Sequence, residues 1–268
     1  MYRAFLVASA LFLVAGTKEF KAISVMTPIH ILFPLPESDD ETGGKNPFRL
    51  SIDKVVPVVN LALEDAYKAQ YIPDSSIAAT FKSSKLSDAH GPNVAISQLV
   101  KNELDCIIGY AFVYALAPVA RMTPTWTDSD SYGIPVITPI GLTMNLDDKK
   151  EYQLLTRISS PYKVVVSVVL KLFDEENWKK HVYLFHHIKE PSAPVGECFL
   201  LMASIQLKLK ARMQTEHNFF TFNEHVEGSN RTMFKNILMK SSFIGNGALL
   251  FFSDLGCMQH WGEVSVFG

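Results

Sequence analysis

Short apolar runs alternate with longer amphipathic stretches along most of this chain of 268 residues. The longer stretches repeat apolar residues at helical spacing, whereas the short runs are typical of buried strands. The pattern predicts strands over residues 23–34, 77–81, 105–109, 134–138, 181–186, 219–222 and 248–252. It predicts helices over residues 51–66, 91–100, 113–121, 162–173, 198–212 and 231–240, with Ser51 as the cap of the first. Such alternation indicates an α/β fold with mostly parallel sheets and helices on both faces.

A charged segment over residues 147–157 separates two such series of elements. We therefore expect two lobes, the first over residues 17–155 and the second over residues 156–268. No sequence repeat relates the two halves, so any likeness between them is expected in structure only.

The N-terminus has the features of a signal peptide. Arg3 supplies a positive charge, residues 4–16 are apolar or small, and Val14-Ala15-Gly16 offers a cleavage point before Thr17. The run is short for a bilayer span, which favours a cleaved peptide over residues 1–16. An uncleaved anchor and a buried first strand stay open as alternatives. No later stretch reaches membrane-spanning length without charges or prolines, so the product is expected outside the cell or at its surface.

Composition excludes several classes of protein. The chain is 48% hydrophobic with a formal net charge of −2, so it is globular and has no charge excess for nucleic acid or an anionic membrane. Of its three cysteines, Cys106 lies in an apolar run and is expected as a small hydrophobe in the core. Asn230-Arg231-Thr232 is the one N-glycosylation sequon, and it becomes meaningful because the chain is expected to be secreted.

Signals for catalysis and for metal or cofactor binding are missing from the sequence. His186 and His187 would point to opposite faces of a strand, and no acid or further histidine has ligand spacing with them. No phosphate-binding loop or nucleophile elbow occurs, and Gly245 and Gly247 fit a turn before a strand. We expect no catalytic residue, no metal site and no organic cofactor.

Several motifs, in order, carry a family resemblance. They are PF at 47–48 with SIDKV at 51–55 and PVVNLA at 57–62, SDAHGP at 87–92, IG at 108–109 with YALAPVAR at 114–121, PVIT at 135–138, KEYQLLTR at 150–157, Trp178, and CF at 198–199. Together they resemble the extracellular region of receptor guanylyl cyclases and natriuretic peptide receptors. The resemblance implies the two-lobed fold of type I periplasmic binding proteins, here with an incomplete second lobe.

The resemblance also implies site residues. Asp88, Tyr114 and Phe199 match positions that contact peptide hormone in vertebrate relatives, although Tyr114 also suits packing at a helix start. The expected crevice lies beyond the strand ends, at residues 83–85, 109–111 and 138–140. The family holds a chloride there, and its hydroxyl ligand would fall on Ser84. The alternative is that Ser84 caps a turn.

Three departures from the family pattern concern cysteines and a contact residue. Leu86 and Phe112 occupy positions where relatives carry a disulfide, and the two side chains are expected to pack against each other or within one small cluster at the strand-end loops. A second family disulfide would join Cys198 to Cys257, which lies about five residues beyond the expected position, so its geometry is demanding. Ala203 stands where an acidic contact is expected, so binding of a vertebrate-type hormone is unsupported.

The resemblance implies a sensor domain of a membrane receptor that lacks its membrane helix and cyclase, which we expect to lie in a missing downstream segment. Its partner would be an extracellular peptide or small molecule, and the resemblance allows a homodimer. The alternative is a soluble secreted binding protein, a carrier or decoy of the same fold. A secreted enzyme is a third class, for which the sequence offers no convergent acid, base or nucleophile.

Overall fold

A computed structural model describes residues 28–38, 46, 48–127, 132–177, 181–186, 196–212, 217–223, 230–244 and 249–252. The expected signal peptide, residues 23–27 of the first expected strand, His187, the Gly245–Gly247 turn and Cys257 lie outside these ranges.

The first structural unit is a five-stranded parallel sheet with strand order β2-β1-β3-β4-β5. Its strands are β1 (Ile29–Leu35), β2 (Ile77–Ser83), β3 (Cys106–Ile108), β4 (Val136–Thr138) and β5 (Leu155–Arg157). Its helices are α1 (Ile52–Lys68), α2 (His90–Leu99) and α3 (Val113–Met122). Strand β2 lies on one side of β1 and strand β3 lies on the other, so the β1–β2 and β2–β3 connections run in opposite directions along the sheet. Right-handed crossovers therefore place α1 and α2 on opposite faces.

The second unit is a three-stranded parallel sheet with strand order β7-β6-β8. Its strands are β6 (His181–His186), β7 (His217–Phe222) and β8 (Leu249–Phe252). Its helices are α4 (Tyr162–Glu175), α5 (Glu197–Arg212) and α6 (Arg231–Ile244). The predicted α/β class with mostly parallel sheets is confirmed.

One apolar core joins the first unit to the helices α4 and α5. Buried side chains from the first sheet, such as Leu32 and Ile107, belong to the same packed cluster as Phe173 of α4 and Ile205 of α5. Each of these four is at most 1% exposed. Burying such side chains contributes about 1.5–3 kcal/mol each, so a large part of the stability of the first unit depends on this shared core.

Helices α2 and α3 pack so closely that one contact requires glycine. A Cβ atom on Gly91 would lie 2.8 Å from the Cβ of Ala115, which is closer than such atoms approach. The fully buried Tyr110 donates its phenolic hydrogen to the carbonyl oxygen of Gly91 at 3.1 Å. Burial raises the pKa of Tyr110 far above its ordinary value, so the hydroxyl stays a hydrogen-bond donor.

The structure differs from the sequence predictions in three places. Strand β5 is not predicted by the hydrophobic pattern, and the first sheet continues through Arg157, just beyond the expected lobe boundary at 155/156, which stays a prediction. Cys106 is a free thiol that is half-buried rather than enclosed in the core, and burial raises its pKa. Ser51 occupies the N-cap position of α1, but its side chain makes no capping hydrogen bond.

None of the helices in the described ranges combines the length and the apolar character needed to cross a bilayer.

Candidate ligand-binding site

The carboxyl ends of the five parallel strands meet at one edge of the first sheet, as expected. The direction of chain travel reverses between β1 and β3, and in open α/β sheets this switch point is where ligands bind. The two strand ends approach closely there, since a Cβ on Gly109 would lie 3.0 Å from Cδ of Pro34. The loops after β1, β2, β3 and β4 therefore form the candidate crevice.

Ser84, the expected chloride ligand, directly follows β2 at this edge. Its side chain is fully buried, and its Oγ has no hydrogen-bond partner. Its backbone amide donates to the carbonyl oxygen of Leu35 at 2.8 Å, and its carbonyl oxygen accepts from the amide of Ser87 at 3.0 Å. The main chain of Ser84 thus forms the turn, and the hydroxyl is left with unused hydrogen-bonding capacity. A buried hydroxyl without a partner lowers the free energy of unfolding by about 1–3 kcal/mol relative to a hydrogen-bonded one.

Ser51 is a second buried hydroxyl of the same kind, and sequence reasoning missed it. Its side chain is fully buried and its Oγ has no hydrogen-bond partner. The next residue, Ile52, donates its amide hydrogen to the carbonyl oxygen of Pro36 at 2.9 Å, so Ser51 lies beside the loop that follows β1. Ser51 and Ser84 therefore flank the consecutive residues Leu35 and Pro36. The signal for it was the Ser-Ile-Asp motif at 51–53, which we interpreted as a helix cap and as part of a family motif, and not as part of the site.

Asp88 and Tyr114 occupy the same edge of the sheet. Asp88 is exposed in the turn before α2, where the Oγ of Ser87 accepts from the amides of Ala89 and His90 at 3.3 and 3.0 Å. Tyr114 is half-buried in the first turn of α3 and packs against the apolar core. The structure thus places two of the three expected contact residues beside the crevice loops, and Tyr114 also has the packing role that was the alternative.

Phe199, the third expected contact residue, lies on the second unit. It stands in the first turn of α5 with 36% of its surface exposed. Ala203 follows one turn later and is also exposed. Cys198 precedes Phe199 in α5, whereas Cys257 is outside the described residues, so the expected disulfide stays a prediction.

A cluster of charged residues fixes the loop after β4 to the start of α4. The guanidinium of Arg157, at the end of β5, donates to the carbonyl oxygens of Gly141 and Thr143, each at 3.1 Å. It also pairs with Asp147, whose other oxygen accepts from Lys163 of α4 at 3.1 Å. The loop on one side of the crevice is therefore bound to the first helix of the second unit.

The electrostatics of this cluster favour the ionised carboxylate. Burial alone would raise the pKa of Asp147, but hydrogen bonds from Arg157 and Lys163 outweigh it and hold the pKa below its ordinary value. The pair remains charged at neutral pH, with Arg157 mostly buried at 12% side-chain exposure and Asp147 at 29%.

Leu86 and Phe112, at the positions where the family resemblance implies a disulfide, are both buried. They are 8% and 5% exposed and belong to the same apolar cluster. Leu86 lies in the loop after β2, and Phe112 is the N-cap residue of α3. Both side chains thus lie in the apolar core, and direct contact between them stays a prediction.

Within the described ranges, no group of three or more histidine, cysteine, aspartate or glutamate side chains is arranged to hold a metal ion.

Comparisons with known proteins support the fold. The branched-chain amino acid transporter substrate binding protein LivJ of Streptococcus pneumoniae, solved in complex with isoleucine, is similar in fold, with a TM-score of 0.50 and 17% sequence identity. The match covers 84% of this chain and 57% of LivJ. This agrees with the expected fold of the type I periplasmic binding proteins.

A sequence relative is the receptor-type guanylate cyclase gcy-28 of Caenorhabditis elegans, which is 28% identical over 162 residues. The match covers 57% of this chain but 12% of the relative, so the chain spans a small part of that protein's length. The profile of the receptor family ligand binding region matches residues 54–210, which include most of the motifs quoted above. The chain therefore belongs to the family of receptor ligand-binding regions.

Proposed function

We propose that this chain is the extracellular sensor domain of a receptor guanylyl cyclase-like membrane receptor, whose ligand changes the closure of the two lobes. The observation that carries the proposal is the family match across both units, together with the similarity to a receptor-type guanylate cyclase. A crevice at the switch point of the first sheet, with the loop after β4 tied to α4, suits a domain that converts binding into lobe movement.

The second candidate is a soluble secreted carrier or decoy of the same fold. The similarity in fold to LivJ, a substrate binding protein, supports this second candidate. The two candidates are separated by sequencing the transcript beyond the codon for Gly268. An open reading frame that continues into an apolar helix and a cyclase domain supports the receptor. A stop codon, with the protein recovered from the medium, supports the carrier.

The chain's role in either case is binding alone. Purified protein incubated with GTP and Mn²⁺ is expected to form no cyclic GMP, because cyclase chemistry needs carboxylates that converge on two metal ions. A heat-killed sample is the control, and turnover above it would contradict this. The ligand is an extracellular peptide or small molecule, and Asp88, Tyr114 and Phe199 are the first residues to replace with alanine.

The crevice of the first lobe holds a small anion, with chloride as the candidate, at the two buried hydroxyls. Support comes from Ser84 and Ser51, whose Oγ atoms are buried without partners beside the loop after β1. An anion in contact with such a hydroxyl would accept its hydrogen and remove its desolvation penalty. No further cofactor is proposed.

The anion is tested by thermal unfolding in sodium chloride and in sodium gluconate. The wild-type chain should unfold at a higher temperature in chloride, because a ligand that binds only the folded state stabilises it. Ser84→Ala and Ser51→Ala should be insensitive to the anion and no less stable than wild type in gluconate, since alanine removes an unpaired buried hydroxyl. Ser167→Ala, which removes an exposed hydroxyl, is the control. Equal wild-type midpoints in the two salts would rule out the site.

The sensor also pairs with a second copy of itself through the outer face of α1. This helix has no buried residue, and Val58 and Leu61 are 66% and 58% exposed. Lys54 and Asp65 are exposed on the same face, one turn before Val58 and one turn after Leu61. In an antiparallel pair of α1 helices, Val58 of one copy meets Leu61 of the other, and Lys54 meets Asp65. A self-complementary surface of this kind fits a two-fold dimer.

Charge reversal tests this dimer by sedimentation equilibrium. Lys54→Glu and Asp65→Lys should each weaken association several-fold, because each places like charges opposite each other. The double variant should restore it, since both cross-pairs are opposite again. Lys68→Glu, at a residue that pairs with Glu64 of its own helix, should leave the dimer unchanged. A monomeric wild-type chain, or a double variant no better than the singles, would contradict the surface.

A further inference from the structure

The only N-glycosylation sequon of the chain stands at the start of α6. Asn230 directly precedes the helix, and Arg231 and Thr232 form its first two residues. All three are exposed to solvent. The sequon therefore lies on the surface of the second unit, where a glycan has room.

The Asn230 side chain already makes one hydrogen bond, and that bond fixes which end of the amide faces outward. Its Oδ1 accepts from the backbone amide of Met233 at 3.0 Å, and its carbonyl oxygen accepts from the amide of Phe234 at 3.2 Å. Asn230 is thus the N-cap of α6. With Oδ1 turned toward the helix, Nδ2 is turned away from it. Nδ2 is the atom that carries an N-linked glycan.

We propose that Asn230 is a glycosylated helix cap, in which Oδ1 satisfies the first turn of α6 while Nδ2 bears an N-linked glycan. The inference rests on the proposed extracellular function, because the modification needs passage through the secretory pathway. The two roles are compatible, since the modified amide stays planar and its oxygen remains an acceptor.

The donor would be a lipid-linked oligosaccharide diphosphate. A bond forms between C1 of its first sugar and Nδ2, and the bond between C1 and the diphosphate oxygen breaks. The lipid diphosphate leaves with that electron pair, and Nδ2 releases one proton. No electron transfer or further reactant is needed.

A glycan at this position has a structural consequence. It keeps the N-terminal end of α6 in solvent in the assembled protein, because a chain of sugars cannot be enclosed in a tight interface. The end of α6 near Asn230 is therefore excluded as a surface for the ligand or for a second copy. This agrees with the dimer surface proposed on α1, which lies on the other unit.

Three substitutions separate the glycan from the cap. Asn230→Asp keeps an oxygen acceptor for the Met233 amide but lacks Nδ2, and Thr232→Ala breaks the sequon while leaving Asn230 in place. Asn230→Gln removes the glycan and displaces the capping oxygen. The full chain is expressed in a eukaryotic secretory host, and residue 230 is read by mass spectrometry before and after enzymatic release of N-glycans. Medium and whole-cell lysate are both analysed, so poor secretion does not prevent the reading.

Wild-type protein should carry one glycan, lost on release with conversion of Asn230 to aspartate. Asn230→Asp and Thr232→Ala should show no shift. Asn230→Gln should unfold about 3 °C below these two, because it alone loses the cap. An unmodified Asn230 in protein that has lost residues 1–16 would overturn this proposal and leave the ligand-binding proposal intact. A chain that keeps Met1 and never enters the secretory pathway would overturn both.

Discussion

Replacing Gly133 with alanine is expected to lower the free energy of unfolding by about 3–4 kcal/mol. Gly133 has a φ of +99°, a backbone conformation that residues with a Cβ rarely adopt. A Cβ there would lie 2.6 Å from the carbonyl oxygen of Thr123 and 3.0 Å from Cα of Pro124. Both are main-chain atoms, so no side-chain rotation relieves the overlap.

The same substitution should weaken a backbone hydrogen bond just before β4. The carbonyl oxygen of Thr123 accepts from the amide of Ile134 at 3.1 Å, and a methyl group on Gly133 would push this bond apart. Urea unfolding followed by circular dichroism measures the loss. Tyr132→Ala is the matched control, because the neighbouring Tyr132 is 96% exposed and should change stability by less than about 0.5 kcal/mol. Equal midpoints for Gly133→Ala and the control would mean that this backbone is not strained.

Replacing Arg157 with alanine is the second large effect, with an expected loss of about 3 kcal/mol. The substitution leaves the carbonyl oxygens of Gly141 and Thr143 without this donor and removes the main partner of Asp147. Lys171→Ala is the control, since Lys171 makes an exposed pair within α4. Hydrogen exchange should show faster opening of residues 138–147 in the variant. Unchanged exchange there would contradict a role in fixing the loop.

The effect of Asp147→Asn should depend on pH with a definite sign. The folded-state pKa of Asp147 lies below its ordinary value, so the carboxylate stabilises the fold above the unfolded pKa of about 3.9. That stability is lost as pH falls through the folded pKa. The stability difference between wild type and Asp147→Asn should therefore be largest near neutral pH and shrink below about pH 4. A difference that grows on acidification would contradict the pairing.

Most helices and strands follow from the sequence because their apolar spacing is long enough to show a period. Strand β5, Leu155–Arg157, is the exception, and its surroundings explain why. Strands β3 and β4 are equally short, but they lie in apolar runs, whereas β5 lies in a charged stretch whose lysines and glutamate belong to the preceding turn. Its pairing with β4 depends on backbone hydrogen bonds that no short side-chain pattern records.

The candidate site was only partly predictable for a similar reason. Parallel strands bring the loops after β2, β3 and β4 to one edge, so the sequence predicts that Ser84 stands there. The missed hydroxyl of Ser51 looks like an ordinary helix cap in sequence, and only tertiary packing leaves its Oγ buried and unpaired. The contacts of Arg157 likewise depend on where the main-chain carbonyls of a distant loop point.

The burial of Leu86 and Phe112 changes the conditions under which this chain acquires its structure. Between residues 28 and 157 the sequence contains one cysteine, Cys106, which is a free thiol. No bridge within this unit has to be oxidised, and no wrong pairing has to be reshuffled, as the chain folds. Its folding rate should not respond to the glutathione potential of the compartment. A reducing bacterial cytoplasm should therefore not prevent this part of the chain from reaching its native form.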